Sequence, residues 1–428
     1  MKSDIESFIS RHALMPESID PAALLEAFLS EMRNGLAGIG SSLAMIPSYV
    51  STGRDVPVGK PVIVIDAGGT NLRTCVVEFD ADGRPAISRF SKSHMPGTDT
   101  EVSADEFFEQ IASSVRPLLP FAKDIGFCFS YACEISPECD GRLLHWTKQI
   151  KAPQVVGMWV GKALRDKLPG FNGRITVIND TVGTLLAGLG EGIKRRYDGN
   201  VGFILGTGTN IAVVADNASI TKVPGLAAGS MIINAESAGF DKTPQTDIDL
   251  AFHATTIDPG KAPFEKMISG GYLGSLGLVA LRTAADEGLF SAPFAKALAS
   301  WATLENKDLD DFTEDPLSSP GPFATAEMTD GDRIAAQAVS AALYKRAATL
   351  TAVNLAAGIL IGGGGKNPLA PVCVNADGST FYKTRCVEFR SHVESALRLL
   401  VEPRGVSYRI VGVPESPIVG AAVAGLSR

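Results

Sequence analysis

Apolar runs and the polar residues that end them divide this chain into alternating strand and helix signals. Leu24, Leu25, Phe28, Leu29, Met32 and Leu36 recur at helical spacing after Asp20-Pro21, an acidic N-cap followed by a first-turn proline. Residues 47–61, with three prolines and two glycines, read as a linker into the first domain. Val62-Ile63-Val64-Ile65 is a buried-strand signal that runs into Asp66-Ala67-Gly68-Gly69-Thr70-Asn71 and a second strand over 72–79. Two strands joined by a tight glycine turn predict a hairpin. A helix is expected over 104–119, opened by Ser103 with Glu106 three residues on. A strand is expected over 125–130, ahead of a polar loop.

The central stretch is an apolar run, Ile175, Val177 and Ile178, that stops at Asn179-Asp180 and continues as a small-residue helix through Gly183, Leu185, Leu186 and Ala187. Next come 201–205, the turn Gly206-Thr207-Gly208-Thr209-Asn210, and 211–215. This repeats the first hairpin, with Gly69-Thr70-Asn71 matching Gly208-Thr209-Asn210. An internal repeat of this kind predicts two similar α/β halves facing each other. Helices are expected over 271–287 and over 331–360, the latter opened by Asp330 or Asp332. Residues 307–322 read as a polar loop continued by 323–329. Gly362–365 reads as a flexible turn, 373–389 as strand and turn around Asp377-Gly378-Ser379, and 417–425 as a closing helix.

Composition narrows the function classes. The chain of 428 residues has room for two domains with large cores, and its net charge of −8 supplies no basic stripe for nucleic acid. Lys194-Arg195-Arg196 reads as solvated surface. The six cysteines form no CxxC pair, and the N-terminus lacks the apolar core of a signal peptide, which together point to a reducing cytoplasm. The most apolar run, 347–360, is interrupted by Thr349, Thr351 and Asn354 and reads as a buried helix, so no membrane partner is expected. With only five scattered histidines, carboxylates are the expected general bases.

The candidate chemistry sits in the turns. Glycine lets phosphate oxygens approach backbone N–H groups, and threonine adds a hydroxyl donor. One such turn is ordinary; two matching turns suit a polyphosphate gripped from both halves. Asp66 is placed to hold Mg²⁺ directly or through water, since Mg²⁺ favours one or two carboxylates plus phosphates; the plain alternative is a turn residue. Asp180, where a strand stops and a helix starts, suits an acceptor of a hydroxyl proton, against the alternative of a helix cap. Ser130, Thr147-Lys148, Asn179-Asp180, Asn234-Ala235-Glu236 and Glu265 end or interrupt apolar stretches, and amides with carboxylates bind vicinal hydroxyls in pairs. No Walker A or Rossmann fingerprint is present.

Taken together, these residues resemble the hexokinases of eukaryotes and some bacteria, from about Phe28 to Lys383. The matching segments include Asp66-x-Gly68-Gly69-Thr70-Asn71-x-Arg73, 179–185, 206–210, Phe264-Glu265-Lys266-Met267-Ile268-Ser269-Gly270, Tyr272-Leu273-Gly274 and Asn375-Ala376-Asp377-Gly378-Ser379. The resemblance implies transfer of the ATP γ-phosphoryl group to the 6-hydroxyl of a hexose, glucose above others. Asp180 would be the base. Ser130, Thr147, Lys148, Asn179, Asn234, Glu236 and Glu265 would hold the sugar. Asp66 would serve Mg²⁺, Gly68, Gly69, Thr70, Asn71, Arg73, Thr207, Gly208, Thr209 and Asn210 would meet the phosphates, and Ser379 would lie near the adenosine. The implied fold is α/β, with two ribonuclease-H-like domains of the actin-like ATPase superfold flanking a sugar/ATP cleft that closes by induced fit. Residues 61–178 plus 410–428 would form the small domain and 1–60 plus 179–409 the large one.

Three positions depart from the family pattern. The proline that follows Phe-Ser-Phe is replaced within Ser130-Tyr131-Ala132, Gly-Phe after Thr-Lys is Gln149-Ile150, and Trp-Gly after Asn-x-Glu is Ser237-Ala238. All three flank sugar-site positions, so they bear on hexose preference and affinity. An inactive hexose sensor of the same fold is the alternative from another class, and it would be expected to have lost Asp180, Asp66 or a phosphate turn.

Overall fold

Two mixed β-sheets of matching internal order organise the chain. The computed structural model describes residues 2–51, 57–146, 150–190 and 195–427. The strands are β1 (Ile46–Pro47), β2 (Val62–Gly68), β3 (Asn71–Phe79), β4 (Pro85–His94), β5 (Ile125–Phe129), β6 (Ala132–Ile135), β7 (Gly141–His145), β8 (Ile175–Ile178), β9 (Gly199–Leu205), β10 (Thr209–Asp216), β11 (Ser230–Asn234), β12 (Val372–Asp377) and β13 (Tyr408–Val411). The first sheet runs β4-β3-β2-β5-β8, with an antiparallel hairpin β2/β3, an antiparallel edge β4, and β5 and β8 parallel to β2. The second runs β1-β11-β10-β9-β12-β13. Its hairpin β9/β10 carries β11 antiparallel on one side and β12 and β13 parallel on the other. The repeat seen in the glycine turns is therefore a repeat of sheet topology.

β2 is buried along nearly its whole length between β3 and β5, as its unbroken Val-Ile run requires. β4 is exposed throughout and carries Pro85, Arg89 and Lys92, which suit an edge that must not pair further. The helices Asp180–Leu189 and Ser416–Leu426 pack against each other between the sheets. A Cβ added to Gly420 would stand 1.9 Å from the Gly183 carbonyl oxygen, so this approach requires glycine. Val62, Val64 and Val77 of the first sheet share an apolar cluster there with Ala212 and Ile232 of the second. The N-terminal helices Lys2–Arg11 and Pro21–Ala37 bury Phe8, Leu25 and Phe28 in the core that also holds Ala347 and Leu350 of the long helix Asp330–Ile361. No helix among the described residues is long and apolar enough to cross a membrane.

Two of the expected caps are present. Asp20 accepts from Ala22 and Ala23 N–H groups, and Ser103 with Glu106 forms the capping box of the helix Ala104–Val115. Several expectations are corrected. Asn179, not Asp180, caps its helix, accepting from Thr181 N at 2.8 Å. The long helix is capped by Thr329, with Asp332 as the reciprocal acid of a capping box. The expected loop at 307–322 holds most of the helix Asn306–Glu314: Glu314 faces outward, Asp311 pairs with Lys307 and Arg385, buried Asp310 accepts from Arg385 and Cys386 N–H groups, and Leu309 and Phe312 bury one side. The polar loop expected after Ser130 contains the hairpin β6/β7. After β12, the short helix Ser379–Lys383 replaces the expected strand. The tetraglycine run is packed, not loose: Gly365 N donates to Asp198 Oδ2 at 3.1 Å, and a Cβ on Gly364 would meet Asp198 O at 2.3 Å.

Candidate active site

The site forms where parallel strands end, the usual position for a ligand crevice in an open α/β sheet. Asp66 in β2, Cys128 in β5 and Ile178 in β8 lie in register across the first sheet. Two residues past Ile178, Asp180 occupies the first turn of its helix, where an acid complements the helix dipole. Asp180 is half-buried, and its charge acts on carboxylates from both sheets. Burial pushes Asp66 above the usual carboxylate range; Arg73 opposes this and Asp180 adds to it. Burial likewise raises Glu236, opposed by the amides of Asn234 and Asn210 and reinforced by Asp180. Asp377, at the end of β12, is raised by burial against a 2.6 Å hydrogen bond from Gly378 N, with Asp180 and Glu415 adding to the rise.

The first turn presents its threonine outward. Gly69 has φ of 64°, the left-handed conformation that glycine adopts without strain, and Thr70 beside it is exposed. The turn is held from behind: Tyr131 Oη donates to Gly69 O at 2.9 Å, and Met95 N donates to Thr70 O at 2.9 Å. Ser130 N donates to Ala67 O at 3.1 Å, which brings the Ser130 side chain alongside Gly68. Arg73 pairs with Asp66 and, at 2.8 Å, with Glu415 at the start of the last helix.

The second turn has the same outward threonine, Thr207, but a tighter setting. Glu265 Oε2 accepts from Thr209 N at 2.8 Å, and a Cβ on Gly208 would meet that oxygen at 2.5 Å. Gly270 N and Thr380 Oγ1 both donate to Gly206 O, each at 2.8 Å. Ser379 N lies near the same turn, 3.6 Å from where a Gly206 Cβ would stand.

Thr209 and Asn210, both expected at the phosphates, engage their side chains within the protein. Asn210 Nδ2 donates to Asn234 Oδ1 at 2.7 Å and to Glu236 Oε1 at 3.4 Å, while its own oxygen accepts from Ile211 N and Ser237 N. Its side chain is therefore tied to Asn234, Glu236 and Ser237. Thr209 turns its hydroxyl to Ile204 O at 3.0 Å. Only its backbone and that of Asn210 remain with the turn.

Two of the expected sugar residues, Asn179 and Asn234, share a narrow cavity between the sheets with Tyr131, with Ile46, Phe129 and Val177 as apolar walls. Asn234 Nδ2 donates to Glu236 Oε1 at 2.7 Å, and Glu236 has φ of 55°, a left-handed backbone that turns its carboxylate back over β11. Thr147 and Lys148 lie outside the described residues. A separate pocket of about 570 Å³ at Lys60, Phe121 and Phe171 shares none of these residues. Tyr131, Asp377 and Glu415 were not among the expected site residues. Tyr131 carried a signal, since it follows Ser130 directly; Glu415 carried none, because its partner is 342 positions away.

Hexokinase family models match residues 4–189 and 200–427. The chain belongs to the hexokinase family. Human Hexokinase-3 is 30% identical over 424 residues, covering 92% of this chain and 45% of that protein. Rice (Oryza sativa subsp. japonica) Hexokinase-2 is 34% identical over 292 residues, covering 62% of this chain and 57% of that protein. This chain thus spans about half the length of the curated hexokinases it matches. Among solved structures, the hexokinase from Schistosoma mansoni complexed with glucose superposes with a TM-score of 0.81, at 25% identity and over 99% of both chains. The two-part ribonuclease-H-like, actin-like α/β architecture expected from the sequence is the hexokinase fold seen here.

Proposed function

We propose that this chain transfers the γ-phosphoryl group of ATP to the 6-hydroxyl of a hexose, with glucose the first candidate. The observation that carries the reading is the position of Asp180. It opens a helix between two sheets of matching topology, each offering a Gly/Thr turn, and its charge reaches Asp66 on one side and Glu236 on the other. Membership of the hexokinase family and the likeness to a glucose-complexed hexokinase support it.

Phosphoryl transfer asks the protein mainly for positioning and charge stabilisation. Asn179, Asn234, Glu236, Glu265 and Ser130, with Thr147 and Lys148, hold the sugar hydroxyls. Asp180 accepts the proton as the 6-oxygen attacks. The backbone N–H groups and threonine hydroxyls at Thr70 and Thr207 meet the phosphates, with Gly68, Gly69, Asn71 and Gly208 shaping the turns and Arg73 leaving Glu415 to join them. Ser379 borders the adenosine. Among the described residues no three His, Cys, Asp or Glu groups are gathered to hold a metal, so a caged ion does not fit, whereas a nucleotide-borne Mg²⁺ with Asp66 as its single protein carboxylate does. Bound there, Mg²⁺ neutralises phosphate charge.

The proposed domain division is 61–178 with 410–428 as the small domain, and 1–60 with 179–409 as the large one; the first sheet lies within the former and the second within the latter, save for the end of β13. Closure of one on the other excludes water, the competing acceptor. The proposed setting is the cytoplasm, with hexose and Mg-ATP as partners and neither nucleic acid nor membrane. The test is ADP release from Mg-ATP with glucose, fructose, mannose or no sugar. Hexose-dependent release supports the reading. Sugar binding without turnover on any hexose overturns it in favour of a sensor.

A further inference from the structure

Ser237 stands where the family pattern has tryptophan, and it is fully buried. A serine is far smaller than an indole, and a polar side chain from the long helix Asp330–Ile361 meets it: Asn354 Nδ2 donates to Ser237 Oγ at 3.1 Å. The asparagine is out of character with its surroundings. Val353, Leu355, Ala356 and Ala357 beside it are buried and apolar, Asn354 itself is 0% exposed, and asparagine is a poor helix former. Asn354 Oδ1 has no hydrogen-bond partner among the described residues, so helix propensity and burial alone would favour leucine there. A buried amide kept at such a cost calls for a task.

The serine directly follows Glu236, whose backbone is left-handed at φ of 55° and ψ of 52°. A residue with a Cβ keeps this conformation only where its surroundings impose it. Ser237 is gripped at two points. Its N–H donates to Asn210 Oδ1 at 3.2 Å, and its hydroxyl accepts from Asn354. Gly239 N then closes the turn on Glu236 O at 3.1 Å. The direction in which the Glu236 side chain leaves the turn is thus set partly from the long helix.

We infer that Asn354 is a positioning residue for hexose recognition: through Ser237 it holds the left-handed turn that aims the Glu236 carboxylate. This rests on the proposed kinase reading, in which Glu236 holds sugar hydroxyls. Being fully buried, Asn354 acts through the serine and not by contact with a ligand.

The test compares the native chain with Asn354→Leu, Ser237→Ala and the double variant. Glucose binding and binding of Mg²⁺ with a non-hydrolysable ATP analogue are measured separately by calorimetry, alongside KM for both substrates and Tm. Loss of one net hydrogen bond predicts glucose affinity about fivefold weaker in Asn354→Leu, with a matching rise in glucose KM. Nucleotide affinity and nucleotide KM stay unchanged, and Tm is native or higher, because leucine removes the unpaired oxygen and favours the helix. Ser237→Ala trims a single oxygen and reads the same bond, so its glucose affinity falls by a similar factor. The double variant binds glucose no more weakly than either single one. Native glucose affinity in both single variants overturns the inference, as do losses that multiply in the double variant. A joint fall of glucose affinity, nucleotide affinity and Tm in Asn354→Leu also overturns it, since that marks a merely structural asparagine. A native chain that binds no glucose overturns both this inference and the kinase reading. A native chain that binds glucose but transfers nothing to it overturns the kinase reading alone, because calorimetry still reads the asparagine.

Discussion

Asn210 hands the second turn over to Asn234: its amide donates to Asn234 Oδ1 at 2.7 Å, and Asn234 in turn donates to Glu236 Oε1 at 2.7 Å. A residue of the second glycine-threonine turn is thereby linked to Glu236, a carboxylate proposed to hold sugar hydroxyls. Asn210→Ala removes one amide and leaves Asn234 Oδ1 in a buried setting without it. Unmet buried acceptors cost about 1–3 kcal/mol, so glucose affinity should fall by roughly tenfold. Nucleotide affinity should change far less. Equilibrium titration with each ligand separately checks the split, and a larger loss on the nucleotide side would contradict the assignment.

Asp66 and Glu236 give the fold a definite pH response. Both carboxylates are raised above their ordinary values, burial being the main cause. A group raised in the folded state contributes stability that is fully present below its unfolded value and lost as pH rises through the folded value. For Asp66 the window opens at its ordinary value of 3.8 and extends upward. Asp66→Asn should therefore raise Tm at neutral pH, with the gain shrinking as pH falls toward that value. Activity should fall, because Asp66 is the carboxylate proposed to serve Mg-ATP, a role held at the expense of stability. A lower Tm for Asp66→Asn at neutral pH would show that the Arg73 pair outweighs burial.

Much of this architecture is legible in the sequence because its signals are contiguous. The two hairpins announce themselves by apolar flanks around glycine-threonine turns, and Ser103 with Glu106 marks a helix start within four residues. Signals spread across the fold are lost. β4 shows no alternation because neither of its faces is buried. The helix Asn306–Glu314 is hidden by Asp308, Asp310 and Asp311, and only the packing of Phe312 on Phe323, with centroids 3.9 Å apart, explains it. The site shows the same contrast. Asp180 and Asn179 are adjacent and readable, whereas the inward turn of Asn210 depends on the pairing of β10 with β11.

The buried pair Arg346–Asp249 secures the large core. Both residues are 1% exposed, with contacts of 2.8 Å and 2.6 Å, and Asp249 also closes the capping box at Thr246. Asp249→Ala strands a buried guanidinium and should cost about 3–5 kcal/mol. A double variant, Asp249→Leu with Arg346→Met, should recover part of that loss. Urea denaturation checks both, and a single variant within about 1 kcal/mol of native would show that water reaches the arginine.

Trp146 supplies an optical reporter. Its indole N–H donates to Ala152 O at 2.9 Å, and its ring contacts Tyr131 and Phe107. Glucose alone should shift tryptophan emission, since the residues after Trp146 are among those proposed to hold the sugar. Trp146→Phe should abolish most of that shift. An unchanged spectrum in the native chain at saturating glucose would count against closure on the sugar.

The role of Asp180 is the central claim, and one pair of assays tests it. Turnover of glucose and Mg-ATP is measured for the native chain and Asp180→Ala, with glucose affinity measured in both. A general base contributes about 10²–10⁴ in rate, so turnover should fall by at least ~100-fold while glucose affinity is kept. Turnover within a few-fold of native, or loss of sugar binding equal to the loss of turnover, would contradict the account.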